Sequence, residues 1–430
     1  MTGRHFLFLQ GPHGPFFHQL AQVLQEAGCR VSRIGFNQGD AYFWKTRSTY
    51  TPYTGRLEDW EGFLEAYLQS ENVTDIVMYG DTREIHLVSR ELANLHALSV
   101  HCFEEGYLRP YWVTYERGGV NGHSRLMEMT VSQMQRSVEG HHKEVPDTPA
   151  QWGALWRHTY LGAVYHANVL FFNQKYKNYV PHRSISVLRE LGLHLRRLLF
   201  FPSRGLQRRR ETYRLKRSGA TYHLVLLQLA HDASFVKHGA FDGIGEFIDL
   251  CCKGFASGAA KHHRLVFKTH PLEDDREPLA WHIRTAAQRY GIEKRVHMIP
   301  GGKLGPLLDN AKSAVTVNST AGQQALWRGL PLRVFGRSVY SKPEFVSYQP
   351  LEKFFTNPAY PDQRAYRDYR QFLLETSQIS GGYYTKTGRA EVLRIMADVI
   401  LADADPYESR YLKHSTKQQH LRLVYGGKQK

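Results

Sequence analysis

The sequence predicts an α/β protein of two Rossmann-like domains facing across a cleft. Three observations carry this prediction. Short apolar runs recur along the chain, each ending in a polar or glycine-rich turn. Helical patterns fill the intervals, which is the strand–turn–helix rhythm of a parallel sheet. At 430 residues the chain also exceeds the size at which a single hydrophobic core keeps growing, so two domains is the natural division.

Taken in order, Phe6–Gln10 reads as a first strand, followed by Gly-Pro-His-Gly-Pro and the amphipathic stretch Phe17–Gly28. Val31–Phe36 ends in Asn37-Gln-Gly-Asp40, Asp75–Tyr79 in Gly80-Asp81, and Leu98–Phe103 in Glu104-Glu105-Gly106. Ligands of such sheets bind at the carboxyl ends of the strands. From about 130 to 217 the pattern turns mainly helical. Strands then resume at Tyr222–Leu227, Leu265–Lys268, Val296–Ile299, Ala314–Val317 and Leu332–Phe335. The expected layout is a first domain over 1–215 with a helical insertion, a second over 216–385, and a helical segment over 386–430. The domain boundary falls in the basic stretch near 205–220, and a helix near Arg389–Ala404 is expected to pack back on the first domain.

Composition narrows the function classes. The chain is 42% hydrophobic and 22% charged, which suits sizeable cores and excludes a disordered polymer. A formal net charge of +16 favours acidic partners: nucleic acid, an anionic membrane surface, or phosphorylated and carboxylated substrates. The four cysteines, Cys29, Cys102, Cys251 and Cys252, read as reduced, buried thiols, because an adjacent pair suits neither zinc nor redox exchange. No apolar run has the length of a signal peptide core or a membrane span, so a cytoplasmic protein is expected.

Five segments carry candidate chemistry. Lys268-Thr-His270-Pro271 closes a strand, where the fixed proline backbone holds His270 at the carboxyl edge to meet a phosphate. A purely structural His-Pro pair fits equally well. Asn318-Ser319-Thr320 runs from a strand into a helix, and hydroxyls at a helix N-terminus suit an anion; an ordinary helix cap is the alternative. Glu104 and Glu105 follow an apolar run and cannot both point the same way along a strand. One can enter the cleft as a general base while the other pairs elsewhere, unless both sit in a solvated turn. Gln228 ends a strand and Asp232 follows it, placed either to attack an anomeric carbon or to cap the next helix. Finally Arg196, Arg197, Arg204, Arg208, Arg209 and Arg210, interleaved with Leu, Phe and Tyr and opposed only by Glu211, suit an anionic bilayer, a nucleic acid, or a solvated linker.

Taken in order, these pieces resemble the capsular polysaccharide synthesis and export family of the KpsS and KpsC type, in scattered blocks over about the first 345 residues. The opening Gln10-Gly11-Pro12-His13-Gly14-Pro15 is similar to the start of the KpsS branch, as are Asn37-Gln-Gly39-Asp40 and Gly80-Asp81-Thr-Arg83. Glu104-Glu105-Gly106 is similar to an acidic-acidic-glycine motif shared with bacterial sialyltransferases, His270-Pro271 to their His-Pro motif, and the run from Val317 to Pro331 to the family's serine/threonine motif.

The resemblance implies a GT-B-like glycosyltransferase that moves Kdo from CMP-Kdo, with retention, onto a phosphatidylglycerol-type lipid to start a poly-Kdo linker. On the donor side it places His270, Pro271, Asn318, Ser319, Thr320 and Gln228. At the reaction centre it places Glu105, with Asp232 as the candidate nucleophile. Gln10, Gly11, His13, Asp40, Asp81, Glu104 and Lys268 are further cleft candidates. No cofactor and no metal are expected, since a CMP leaving group has a single phosphate whose departure a histidine, hydroxyls and a helix N-terminus can stabilise. The implied partners are the CMP-activated acidic sugar, the anionic lipid, the inner-membrane surface and a capsule synthesis or export complex, with no nucleic acid. The alternatives are a related CMP-sugar transferase, using sialic acid or extending a Kdo chain, and a non-catalytic export or scaffold protein.

Overall fold

A computed structural model describes residues 3–138, 155–181, 192–193, 196, 201–231, 235–236, 239–273 and 275–408. The chain divides into two compact units, the first comprising 1–125, 137–187 and 371–430, the second 126–136 and 188–370.

The first unit is built on a seven-stranded sheet. Its strands in chain order are β1 (His5–Phe8), β2 (Arg30–Gly35), β3 (Tyr50–Pro52), β4 (Asp75–Tyr79), β5 (Ser99–Glu105), β6 (Trp112–Arg117) and β12 (Gln378–Ser380), β7 to β11 belonging to the second unit. Their spatial order is β12-β6-β5-β4-β1-β2-β3. The strands from β5 to β3 run parallel, while β6 and β12 add antiparallel at one edge. From Phe6 onward β1 is apolar because both faces are covered, and its first residue, His5, is buried with its ring bonded to Ser32 at 2.8 Å. Phe6 and Phe8 pack with the helices Phe16–Glu26 and Lys386–Leu401, and Leu7 with the alternate core that holds Trp60, Leu64 and Leu92. The expected C-terminal helix does pack on the first unit: Val392, Met396 and Ile400 share a core with Phe16, Leu20 and Leu24. Thr385 caps it, its hydroxyl accepting from the Gly388 N–H at 3.1 Å.

The second unit carries an all-parallel five-stranded sheet, order β11-β10-β7-β8-β9. Its strands are β7 (Tyr222–Leu226), β8 (Arg264–Lys268), β9 (Val296–Ile299), β10 (Ser313–Thr316) and β11 (Leu332–Val334). Val225, Leu265, Phe267 and Val315 pack against the helix Ile244–Gly258 through Phe247, Cys251 and Phe255. All four cysteines are buried and free.

Two expectations about boundaries are corrected. Helix Phe201–Ser218 belongs to the second unit, where Glu211 accepts from His297 of β9 at 3.2 Å, so the first unit does not extend to 215. The return to the first unit falls near 370, not 385, because β12 pairs with β6 from Gln378 onward. Strands β6 and β12 went unread for a physical reason: Gln378–Ser380 is too short to show a period, and β6 mixes Thr, Glu and Arg into its alternation.

Candidate functional sites

Both sheets share one topology: the chain starts in the middle, moves outward on one side, then returns to the other. The order reverses between β1 and β4 in the first unit and between β7 and β10 in the second. Beyond the carboxyl ends of two such strands lies the crevice where parallel sheets bind ligands. Both reversal points are marked by a glutamine that reaches sideways. After β1, the buried Gln10 accepts from Arg83 at 2.9 Å, and its amide donates to Asp40 at 3.2 Å. After β7, Gln228 donates to Asn318 Oδ1 at 2.9 Å and accepts from the Asn318 N–H at 3.0 Å.

In the first unit, Glu104 and Glu105 are not in a turn. Strand β5 continues through both, pairing Glu104 with Thr114 and Glu105 with Val113 of β6. They therefore project to opposite faces. Glu104 folds back to accept from the Glu105 N–H at 2.9 Å. Glu105 is half-buried, and its Oε1 accepts from two phenols, Tyr384 at 2.9 Å and Tyr79 at 3.2 Å. Tyr383 donates to the Glu104 carbonyl at 2.8 Å and so fixes the strand end. Burial, and next the charge of Glu105, push Tyr79 and Tyr384 well above the ordinary tyrosine range. Both stay protonated donors, and both engage the same oxygen, Oε1, of Glu105.

The remaining first-unit candidates have distinct tasks. Asp40 is fully engaged within the unit: Arg33 and Tyr165 donate to Oδ1, and Gln10 and the Phe36 N–H to Oδ2. It anchors the turn after β2 instead of presenting a carboxylate to a cleft. Asp81 is fully buried, and its Oδ2 accepts from the Val120 N–H at 2.9 Å and from His123 at 3.1 Å. Gly11 is needed for space, since a Cβ there would lie 2.5 Å from the Phe17 ring. His13 stacks on Tyr165 with centroids 4.5 Å apart.

In the second unit, His270 Nδ1 accepts the Leu272 N–H at 3.0 Å, so in the neutral ring Nε2 carries the proton. That is the tautomer a phosphate oxygen needs. Ser319 accepts the Ala321 N–H at 3.2 Å, so it serves the first turn of helix Ala321–Trp327, whereas Thr320 makes no side-chain capping bond. Lys268 is buried and donates to the Thr269 carbonyl at 3.0 Å; burial, then the charge of Arg208, pull its amine down to about 8. The Arg208 stem lies over Gly302, where a Cβ would meet it at 2.4 Å. Arg204 donates to the Glu273 carbonyl at 2.7 Å and pairs with Asp275. Within the basic segment, Arg204 and Arg208 reach the loops after β8 and β9, while Arg196, Arg209 and Arg210 are exposed. Asp232 and Arg197 lie outside the described residues.

Sequence reasoning missed Tyr79, Tyr384 and His123 as site residues. Tyr79 ends β4 beside Phe103 of β5, a position legible once two adjacent strands are assigned. Tyr384 lies 279 residues from Glu105, and no local signal links them. Among the described residues, no three of His, Cys, Asp and Glu converge as metal ligands.

The model of capsule polysaccharide biosynthesis proteins matches residues 74–384. The chain is similar to the capsule polysaccharide export protein KpsS of Escherichia coli, 27% identical over 390 residues that cover 89% of this chain and 98% of that protein. It is likewise similar to the capsule polysaccharide modification protein LipB of Neisseria meningitidis, 28% identical over 405 residues, or 90% and 93% of the two chains. Among solved structures, KpsC of Thermosulfurimonas dismutans, a beta Kdo 2,7 transferase, aligns over 96% of this chain and 100% of its own with 12% identity and a TM-score of 0.43.

Proposed function

This chain belongs to the capsule polysaccharide biosynthesis family, and on that premise we propose that it is a retaining glycosyltransferase that moves Kdo from CMP-Kdo onto a phosphatidylglycerol-type lipid. The observation that carries the reading is Glu105, an ionisable carboxylate at the carboxyl end of a parallel sheet, aimed by two phenols that engage a single oxygen.

The chemistry is a double displacement. Asp232 attacks the anomeric carbon of the donor and forms a covalent glycosyl ester as the C–O bond to CMP breaks. The departing phosphate gathers charge that the His270 Nε2–H and the hydroxyls of Ser319 and Thr320 stabilise. The lipid hydroxyl then attacks the same carbon, Glu105 Oε2 takes its proton, and Asp232 leaves as carboxylate. Two inversions give net retention. The donor carries a phosphodiester and a carboxylate, which suits a chain of net charge +16.

Among the described residues no helix is long and apolar enough to cross a membrane. The enzyme meets its lipid at the inner-membrane surface, where exposed Arg209 and Arg210 add attraction to anionic headgroups.

Incubating the purified protein with CMP-Kdo and fluorescent lysophosphatidylglycerol tests the reading by mass spectrometry. A gain of one Kdo supports it. No product from protein that binds CMP removes the Kdo-on-lipid assignment, and absence of CMP binding turns the assignment to a non-catalytic export role. Glu105→Ala and Asp232→Ala are each expected to lower turnover by on the order of 10²–10⁴-fold with the thermal midpoint unchanged. Near-normal rates in both would remove the mechanism.

A further inference from the structure

The helix Leu155–Phe172 in the first unit is apolar on both sides. One side is accounted for: Tyr165 and Val169 pack with Phe43 of the helix Gln38–Phe43. The other side is not. Trp156, Tyr160, Ala163, Ala167, Leu170 and Phe171 recur at three- and four-residue spacings, which places them on one stripe. Trp156 is 61% exposed, Tyr160 58% and Phe171 62%. The stripe runs about 22 Å along the helix axis. A solvated helix normally turns charge outward, and a contiguous exposed apolar stripe marks a surface made for a partner.

We propose that this stripe is the element by which the protein lies on an anionic lipid bilayer, its aromatic rings entering the headgroup boundary with the helix axis in the membrane plane. Charge decides in favour of this occupant. From residue 148 to residue 189 the sequence contains no aspartate or glutamate. The cations near the stripe are exposed: Lys175 and Lys177 follow the helix, and Arg157 lies over the Trp156 ring at 4.4 Å. Trp, Tyr and Phe flanked by Lys and Arg, with no acid in the same stretch of chain, match a surface whose interior is apolar and whose rim is phosphate. A protein partner would need no such one-sided charge. The inference deepens the lipid-acceptor reading above, but its test does not use catalysis.

Full-length protein is co-sedimented with vesicles of phosphatidylglycerol and phosphatidylcholine, and with phosphatidylcholine alone. Binding is expected to the anionic vesicles, and Trp156→Ser/Tyr160→Ser/Phe171→Ser is expected to weaken it by on the order of tenfold or more. All three side chains are exposed, so an unchanged thermal midpoint and unchanged CMP binding are expected alongside. A milder variant guards against misfolding: lipids brominated near the headgroup are expected to quench part of the wild-type tryptophan emission, and Trp156→Phe to lose that part. Failure of the wild type to bind anionic vesicles, equal binding by the triple variant, or unaltered quenching in Trp156→Phe would each overturn the proposal. So would conversion of a wild-type dimer to a monomer by the triple variant without vesicles, which would assign the stripe to a second copy of the chain. Loss of CMP binding by the wild type, with vesicle binding still dependent on the stripe, would overturn the transferase reading alone.

Discussion

Glu105 shares its Oε1 with the hydroxyls of Tyr384 and Tyr79, and those bonds aim the carboxylate. Removing one donor loosens the orientation of Oε2. Tyr384→Phe is therefore expected to lower kcat by about 10- to 100-fold, the equivalent of one charge-assisted hydrogen bond. The loss is expected in kcat, with KM for the acceptor little changed, because the phenol aims the base and does not bind substrate. An unchanged kcat would show that Tyr384 only packs. Lys268 carries a pH-dependent effect. Its amine, pulled down to about 8 by burial and Arg208, is charged below that pH and neutral above it. CMP affinity is expected to fall as pH rises through about 8, and calorimetric titration of Lys268→Gln should lack that inflection. These residues differ in legibility. Glu105 and His270 announce themselves as polar residues ending apolar runs, whereas Tyr384 becomes a partner of Glu105 only through the fold. Asp40 shows the converse: from sequence it resembles a cleft carboxylate, and four donors within the unit make it a structural anchor.

Between elements, the second unit holds a pH-sensitive joint. His223 on β7 bonds Ser313 of β10 at 2.7 Å and His263, just before β8, at 3.1 Å. Burial, then the neighbouring His263, Lys312 and Arg295, hold His223 down at about 3. His263 falls to about 4 through burial, then Lys312, His262 and Arg295. In the unfolded chain both titrate near 6.5. Between those values the unfolded state binds more protons than the folded one, so stability rises with pH across that window. The contribution is complete above about 6.5 and is lost as pH falls towards 4. The thermal midpoint is expected to drop between pH 7 and pH 5, and His223→Asn should flatten that slope; a midpoint rising on acidification would contradict the account. The strands themselves were legible, because β7 to β10 are mainly apolar runs between turns. What the runs do not reveal is which interior histidines meet across them.

For the whole molecule, the chain's route matters more than its order. The first unit is completed by residues 371–408, which supply β12 against β6 and the helix Lys386–Leu401 against the helix Phe16–Glu26. A chain ending at residue 215 would leave the edge of β6 unpaired and the core around Phe16 and Leu20 open. It is expected to show no cooperative unfolding transition by calorimetry, and a sharp transition from that fragment would refute the shared core. No composition shift marks residue 370, because the segment beyond it is as amphipathic as its neighbours.

The sequence by itself determined the parallel α/β class, the carboxyl-edge positions of Glu105, Gln228, His270 and Ser319, and the basic character that favours acidic ligands. Each follows from periodicity, turn chemistry or charge, which are local or additive properties of a chain. Only the tertiary structure decided that Glu105 lies in a strand between phenols from residues 79 and 384, and that Arg204 and Arg208 serve loops instead of facing outward. It alone decided that the last helix closes the first core. These are meetings between residues far apart in the chain, set by how cores close around both sheets, and no window along the sequence contains both partners.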